Sequence, residues 1–309
     1  MIFGVLPGPG IFPGVTRVFE DMRDLFGLKI IYPHEYNQLT EDDLAIFGAY
    51  HQAYAMPIRR LKCKKFLLWT SPLLQMEFSE EPVIFNQVLN MKDRGIIDQI
   101  WFGDVGMWKA YEDKGFFMPY PLNVKRLQPY YDPLPPEDRE GIALFCPWTP
   151  RKNILTQLAA VKLVQKEHPE AVLYGNGMNT YAPLAERMGV SFVDCGWMKK
   201  DALYYQMIQK VRVGLQVFLS ESFCFTAFDH MVLGTPVVAS ACVDWLPDSL
   251  KVKNLDDPVE ISDRIIKVGS EYSHIDAYRQ SVLDMAQVRN KRASEAFKCH
   301  LGERSGLQS

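Results

Sequence analysis

The sequence predicts an α/β chain made of two Rossmann-like domains, each a parallel sheet with helices on both faces. Apolar runs of strand length alternate with helix-length amphipathic segments through both halves of the chain, as they do where crossover helices wind a parallel sheet. The alternation breaks once, over residues Gln128 to Glu140, which are rich in proline and charge. A third observation orders the rest: from Val211 to Ser240 an apolar run, a polar loop, a helix-sized segment ending at Gly234 and a second apolar run follow one another.

Composition sets the bounds. The 309 residues suit two ordinary domains, and 48% hydrophobic residues are ample for their cores. A net charge of −3 gives no bulk attraction for nucleic acid or membrane, so any such contact has to come from a local patch. The six cysteines form no Cys-x-x-Cys pair and read as reduced, intracellular thiols. The apolar start, Ile2 to Leu6, lacks a basic leader and breaks at Pro7, and no apolar stretch approaches membrane-spanning length. The expected location is the cytoplasm.

In the first half, Ile2–Leu6 reads as a buried strand, followed by a loop rich in glycine and proline and a helix from about Val15 to Phe26. Such a loop is where a Rossmann-like domain brings backbone close to a ligand phosphate, and Gly14, just before the helix, is its candidate residue. The strand from Leu44 to Tyr50 ends at His51, and a polar residue at the C-terminal end of a parallel strand points into the ligand crevice. The strand Lys65–Trp69 ends in Thr70 and Ser71, whose hydroxyls compete with His51 for that role. Between the two strands, Arg59, Arg60, Lys62, Lys64 and Lys65 place five cations in seven residues. They read either as a solvated face or as a landing site for an anionic lipid surface or nucleic acid. Helices at Val83–Arg94 and Val105–Lys114 and strands at Ile96–Phe102 and Phe116–Pro121 complete this half.

The second half restarts with a strand from Gly141 to Cys146 and a helix from Ile154 to Glu167. Arg151 and Lys152 stand between them, two cations beside a helix N-terminus, where a diphosphate would be held. A strand from Ala171 to Tyr174 leads to Gly175-Asn176-Gly177, and Gly177 is a further candidate for close backbone approach to a ligand. After two more helices and a strand comes the ordering stretch. There Glu221 sits at a strand end, Ser222 can cap the helix that follows, and Asp229 lies about two helical turns further on. Two carboxylates and an anion-binding helix end together suit a phosphate-bearing, hydroxyl-rich ligand.

The run Glu-Ser-Phe-Cys-Phe-Thr-Ala-Phe-Asp at Glu221 to Asp229, with Gly-Thr-Pro-Val-Val-Ala-Ser at Gly234 to Ser240, resembles the donor-site signature of the retaining GT-B-fold glycosyltransferases (group 1, family 4-like). The resemblance covers roughly Gly141 to Gly269 and is only architectural before that. It implies a GT-B fold, two Rossmann-like domains facing across a cleft, with the nucleotide-sugar on the second. It also implies that Glu221 orients the donor sugar, that the amides around Phe223, Cys224 and Phe225 meet the diphosphate, and that Asp229 holds the ribose. Arg151 and Lys152 would stabilise the departing nucleoside diphosphate, and a first-domain histidine, here His51, would contact the sugar. The pattern is departed from at Pro147, where an Arg is usual, at Cys224, where a Gly is usual, and at Asp229, where a Glu is usual.

The expected activity is therefore transfer of a sugar from a UDP- or GDP-sugar with retention of configuration. No Asp-x-Asp occurs in the sequence, so no metal and no cofactor besides the donor is expected. The alternatives are a catalytically weak nucleotide- or sugar-binding protein and a nucleotide-sugar epimerase of the same fold. The expected domains are 1–137 and 138–272, with a helical segment at 273–309 that either crosses back to the first domain or stands alone. No obligate protein partner is implied.

Overall fold

The computed structural model describes all residues except 9–10, 55–56, 79, 133, 148, 177–180, 199–200 and 302–309. The chain divides into two compact units, the first comprising Met1–Asn123 and Ala286–Ser309, the second Val124–Met285. The first unit thus ends at Asn123, ahead of the Pro-rich segment that the sequence suggests as the boundary. The helix α11, Ile275–Leu301, contributes residues to both units.

The first unit holds a six-stranded sheet, all parallel, built from β1 (Ile2–Val5), β2 (Lys29–Ile31), β3 (Leu44–Gly48), β4 (Lys64–Trp69), β5 (Gln99–Phe102) and β6 (Gly115–Phe117) in the order β2-β1-β3-β4-β5-β6. The helix α1, Pro13–Phe26, buries Val15, Val18, Phe19 and Met22, the i, i+3, i+4, i+7 stripe that the sequence shows. It lies close on the sheet at Gly48, where an added Cβ would stand 2.6 Å from side-chain atoms of both Phe19 and Val15. Only glycine admits that approach. The later helices are α2 (Pro57–Arg60), α3 (Leu73–Met76), α4 (Glu81–Asp93) and α5 (Val105–Ala110). From Ala286 onward α11 is tied to this unit by Asn290, whose amide both accepts from Leu122 N (2.7 Å) and donates to Leu122 O (2.8 Å).

The second unit holds another six-stranded parallel sheet, from β7 (Ile142–Leu144), β8 (Leu173–Gly175), β9 (Phe192–Asp194), β10 (Val213–Gln216), β11 (Val237–Ser240) and β12 (Lys251–Val252). Its order is β12-β11-β10-β7-β8-β9, with helices α6 (Ile154–Glu167), α7 (Ala182–Met188), α8 (Asp201–Lys210), α9 (Phe225–Val232) and α10 (Pro258–Ser270). The expected fold class, α/β with two parallel sheets, is what the chain adopts.

Most observed strands are shorter than the apolar runs that announce them, because the ends of those runs leave the ladder to make loop contacts. The apolar run that starts at Val211 stops pairing after Gln216. Phe218 N then donates to Ser240 Oγ (3.2 Å) and Leu219 N to the carbonyl of Arg151 (2.9 Å). Those departures bring the polar loop beside the loop that follows β7.

Candidate donor site at the switch point of the second sheet

In an open parallel sheet, ligands bind beyond the strand C-termini where neighbouring strands send their crossovers in opposite directions. In the second unit that point lies between β7 and β10, since β8 and β9 are added on one side and β11 and β12 on the other. The loop after β7 carries Arg151 and Lys152, and the loop after β10 carries Glu221 and Ser222. Residues far apart in sequence meet there because the topology puts their strands side by side.

Lys152 Nζ donates to Glu221 Oε2 at hydrogen-bonding distance, and Arg151 Nη1 reaches the same oxygen at 3.4 Å and the Ser220 carbonyl at 3.2 Å. Glu221 Oε1 accepts from its neighbour's amide, Ser222 N, at 3.0 Å. The Lys152 side chain is 5% exposed, its ammonium 3.7 Å from the centre of the Phe218 ring. Burial pushes the Glu221 carboxyl up, but the ammonium of Lys152 and the guanidinium of Arg151, with hydrogen bonds from Lys152 and the Ser222 amide, outweigh it and hold the carboxyl below the ordinary range. The Glu221 carboxyl is ionised at neutral pH.

The loop then turns into α9 through Cys224, which takes a left-handed conformation with φ 65° and ψ 69°. Its thiol does not point to solvent: the residue is 5% exposed and Sγ lies 3.6 Å from Gln216 Oε1 in β10. The cysteine side chain is thus turned into the core, away from the polar loop. Phe223 is buried and its carbonyl accepts from Trp245 Nε1 at 2.7 Å, while the two rings stack with centroids 5.4 Å apart. Phe225 is half-buried against Phe223. Asp229 lies within α9, 2% exposed and engaged within the chain. Cys146 and Cys242 stand close enough to Glu221 and Lys152 to feel their charges, and burial pushes their thiols up, that of Cys146 to about 12. They are neutral, and all six cysteines are free thiols.

Gly14 and His51 belong to the first unit, whose own switch point lies between β1 and β3. Gly14 is exposed in the first turn of α1, and an added Cβ would meet nothing within 4 Å. His51, after β3, is half-buried with its ring 6.0 Å from that of Phe12, and Nδ1 accepts from Ala53 N at 3.1 Å. Ser71 is 6% exposed and its hydroxyl accepts from Gln75 Nε2 at 3.0 Å. Gly177 lies outside the described residues. The basic run leads into the N-terminal end of β4, opposite the strand ends that carry Gly14 and His51. There Lys62 pairs with Glu41 at 3.0 Å and Lys65 Nζ donates to the Leu61 carbonyl at 2.9 Å, while Arg59, Arg60 and Lys64 are exposed.

Backbone strain marks the same places. Among the described residues the non-glycine positions with positive φ are Phe12 (56°), Ala49 (58°), Asn153 (51°) and Cys224 (65°). Each sits in a loop after one of the four switch-point strands β1, β3, β7 and β10. Left-handed backbone costs such residues about 1–3 kcal/mol and persists where the surroundings impose it, which is a recurring property of ligand-binding loops. Sequence reading names only Cys224 among them. It also passes over Phe218, Trp245 and Gln157, of which Gln157 alone carries a signal, a polar residue on the apolar stripe of α6.

No protein-family model matches the sequence, and no curated protein matches it at the sequence level. Solved structures do match in fold. Anabaena HepE in complex with UDP and glucose is 11% identical, with a TM-score of 0.72, over 97% of this chain and 100% of that one. The trehalose-6-phosphate synthase OtsA is 14% identical, with a TM-score of 0.66, over 93% of this chain and 76% of that one. An α,α-trehalose-phosphate synthase (UDP-forming) from Burkholderia xenovorans in complex with glucose-6-phosphate is 12% identical, with a TM-score of 0.64, over 86% and 74%. The chain has the GT-B fold.

Proposed function

We propose that the protein is a glycosyltransferase that takes its sugar from a nucleoside-diphosphate sugar held on the second unit. The observation that carries this reading is the Arg151–Lys152–Glu221 cluster beside the start of α9. It joins two cations, a carboxylate and a helix N-terminus at the switch point of a Rossmann-like sheet, and the chain has the fold of proteins solved with UDP and sugars. UDP-sugars are the donor class the reading favours.

On this reading the diphosphate lies against the first amides of α9, with Arg151 and Lys152 neutralising the charge that grows on it as the sugar departs. Glu221, released from part of its pairing as Lys152 turns to phosphate, accepts hydrogen bonds from sugar hydroxyls. Asp229 stands as the proposed ribose partner, and Gly14 and His51 as proposed ligand-contacting residues of the first unit. Retention of configuration and independence from divalent metal belong to the same proposal, the second because the sequence lacks an Asp-x-Asp pair.

A thermal-shift screen of nucleoside-diphosphate sugars tests it, followed by product analysis with the donor that binds, in the presence and absence of EDTA. A ligand at 100 times its Kd stabilises by about 2.7 kcal/mol, an easily visible shift. Stabilisation by no nucleotide-sugar would remove the reading. A second reading, donor binding without transfer, draws on the burial of the Lys152 side chain in its ion pair, 5% exposed. Binding with neither transfer nor donor hydrolysis would favour it.

A further inference from the structure

We propose that Gln157 is a positioning residue that locks the cation-bearing loop after β7 to the carboxylate-bearing loop after β10. This deepens the donor-site reading and rests on it for its functional consequence. Gln157 lies in the first turns of α6 and is wholly buried, 0% exposed. The neighbouring inward residues of that helix are Ile154, Leu158, Val161 and Val164, so an amide interrupts an otherwise apolar stripe. Leaving such a group unbonded would cost about 1–3 kcal/mol.

Both ends of the amide are used, and both on the site. Nε2 donates to the carbonyl of Lys152 at 2.6 Å, and Oε1 accepts from the amide of Val217 at 2.9 Å. Lys152 supplies the ammonium of the ion pair. Val217 is the first residue beyond β10, four before Glu221. One side chain thus ties together the main chains that carry the two partners, on the buried side of the pair. The direct bond from Leu219 N to the Arg151 carbonyl is a second tie of the same kind, 2.9 Å long. At Asn153, the next residue, the backbone is left-handed, with φ 51°, a conformation that asparagine accepts more readily than most residues. Gln157 touches no ligand position; it acts through Lys152 and Glu221.

The experiment compares Gln157→Leu with Gln165→Leu. Gln165, further along α6, also bonds main chain with both ends of its amide, to Ala171 O, Ser191 O and Ser191 N, but far along the helix from the pair. In each background the coupling between positions 152 and 221 is measured by urea unfolding of Lys152→Met, Glu221→Gln and the double variant. The wild-type background should show coupling of about tenfold or more in the unfolding constant. That coupling should fall below about threefold with Gln157→Leu and stay unchanged with Gln165→Leu. Equal coupling in all three backgrounds would overturn the proposal.

UDP affinity gives the functional readout: Gln157→Leu should weaken it about tenfold alone and add nothing once Lys152 is Met, whereas an independent structural effect would add in full. If the wild type binds no UDP, the donor-site reading fails and the unfolding cycle still decides the role of Gln157. If Gln157→Leu does not fold, amide exchange in the wild type decides: Val217 N should be protected as strongly as the amides of β10, and exchange at the rate of an exposed loop would overturn the proposal.

Discussion

Lys152 and Glu221 are 69 residues apart in sequence and share a hydrogen-bonded ion pair, with Arg151 reaching the same carboxylate oxygen at 3.4 Å. The side chains are only 5% and 12% exposed. Removing one partner of a buried pair leaves the other charge without compensation and is far more disruptive than removing both. The site is therefore coupled to the stability of its unit, and experiments on it have to separate the two.

Glu221→Gln should be less stable than the wild type at neutral pH, because the buried ammonium of Lys152 loses its partner. A carboxyl held below its ordinary value of 4.5 contributes stability that is present above that value and is lost as pH falls through the folded-state value. The difference between variant and wild type should accordingly be largest above pH 4.5 and shrink below it. Urea unfolding from pH 7 to pH 3 checks this; a pH-independent difference would mean that the carboxyl is not held low.

His230 supplies a second pH dependence, of different origin. It is wholly buried on Gly214, its Nδ1 2.8 Å from the Thr226 carbonyl, and Nε2 has no partner among the described residues. Burial pushes the imidazole down to about 4. The unfolded chain then takes up a proton below about 6.5 that the folded one refuses, so stability is complete above that value and falls by roughly 3 kcal/mol by pH 4. His230→Leu should flatten this slope between pH 6.5 and 4, and an unchanged slope would show that the ring is not its source.

Trp245→Phe should keep the stacking on Phe223 and lose the bond to its carbonyl, at a cost of about 1 kcal/mol. Because Phe223 precedes the left-handed Cys224, the loop before α9 should loosen as well. The expected outcome is a lower melting temperature together with weaker UDP binding. A stability loss with unchanged affinity would separate Trp245 from the site.

The basic run offers a test of surface recruitment. Arg59, Arg60 and Lys64 are exposed and near one another in sequence, and each exposed cation contributes about 1 kcal/mol at an anionic bilayer. Sedimentation with vesicles rich in anionic lipid should be strong at low salt, weaken as salt rises, and disappear when these three are replaced by Gln. Gel shift with DNA at the same two salt concentrations tests the nucleic-acid alternative. If neither partner binds, the run is a solvated face.

Much of this was legible in the sequence because parallel sheets leave a plain pattern. The helix α6 begins at Ile154 and ends at Glu167, the limits its apolar stripe sets, and α9 stops short of Gly234. Arg151, Lys152 and Glu221 were also legible, since polar residues after buried strands are placed by topology alone. What could not be read was how they meet. The departure of Phe218 and Leu219 from the ladder, the inward turn of the Cys224 thiol and the reach of Gln157 across two loops depend on long-range packing, and no local propensity encodes them. The second compact unit begins at Val124, ahead of the Gln128 to Glu140 segment, for a related reason: proline and charge mark turns, while the change of packing unit follows from which residues pack together.

Titration calorimetry of UDP into the wild type and Lys152→Ala tests the central claim most directly. A charge-assisted hydrogen bond to phosphate contributes about 1.5–3 kcal/mol, so the account predicts measurable binding to the wild type and affinity lower by roughly one to two orders of magnitude in the variant, with far-UV circular dichroism unchanged. No binding to the wild type, or equal affinity in a folded Lys152→Ala, would contradict it.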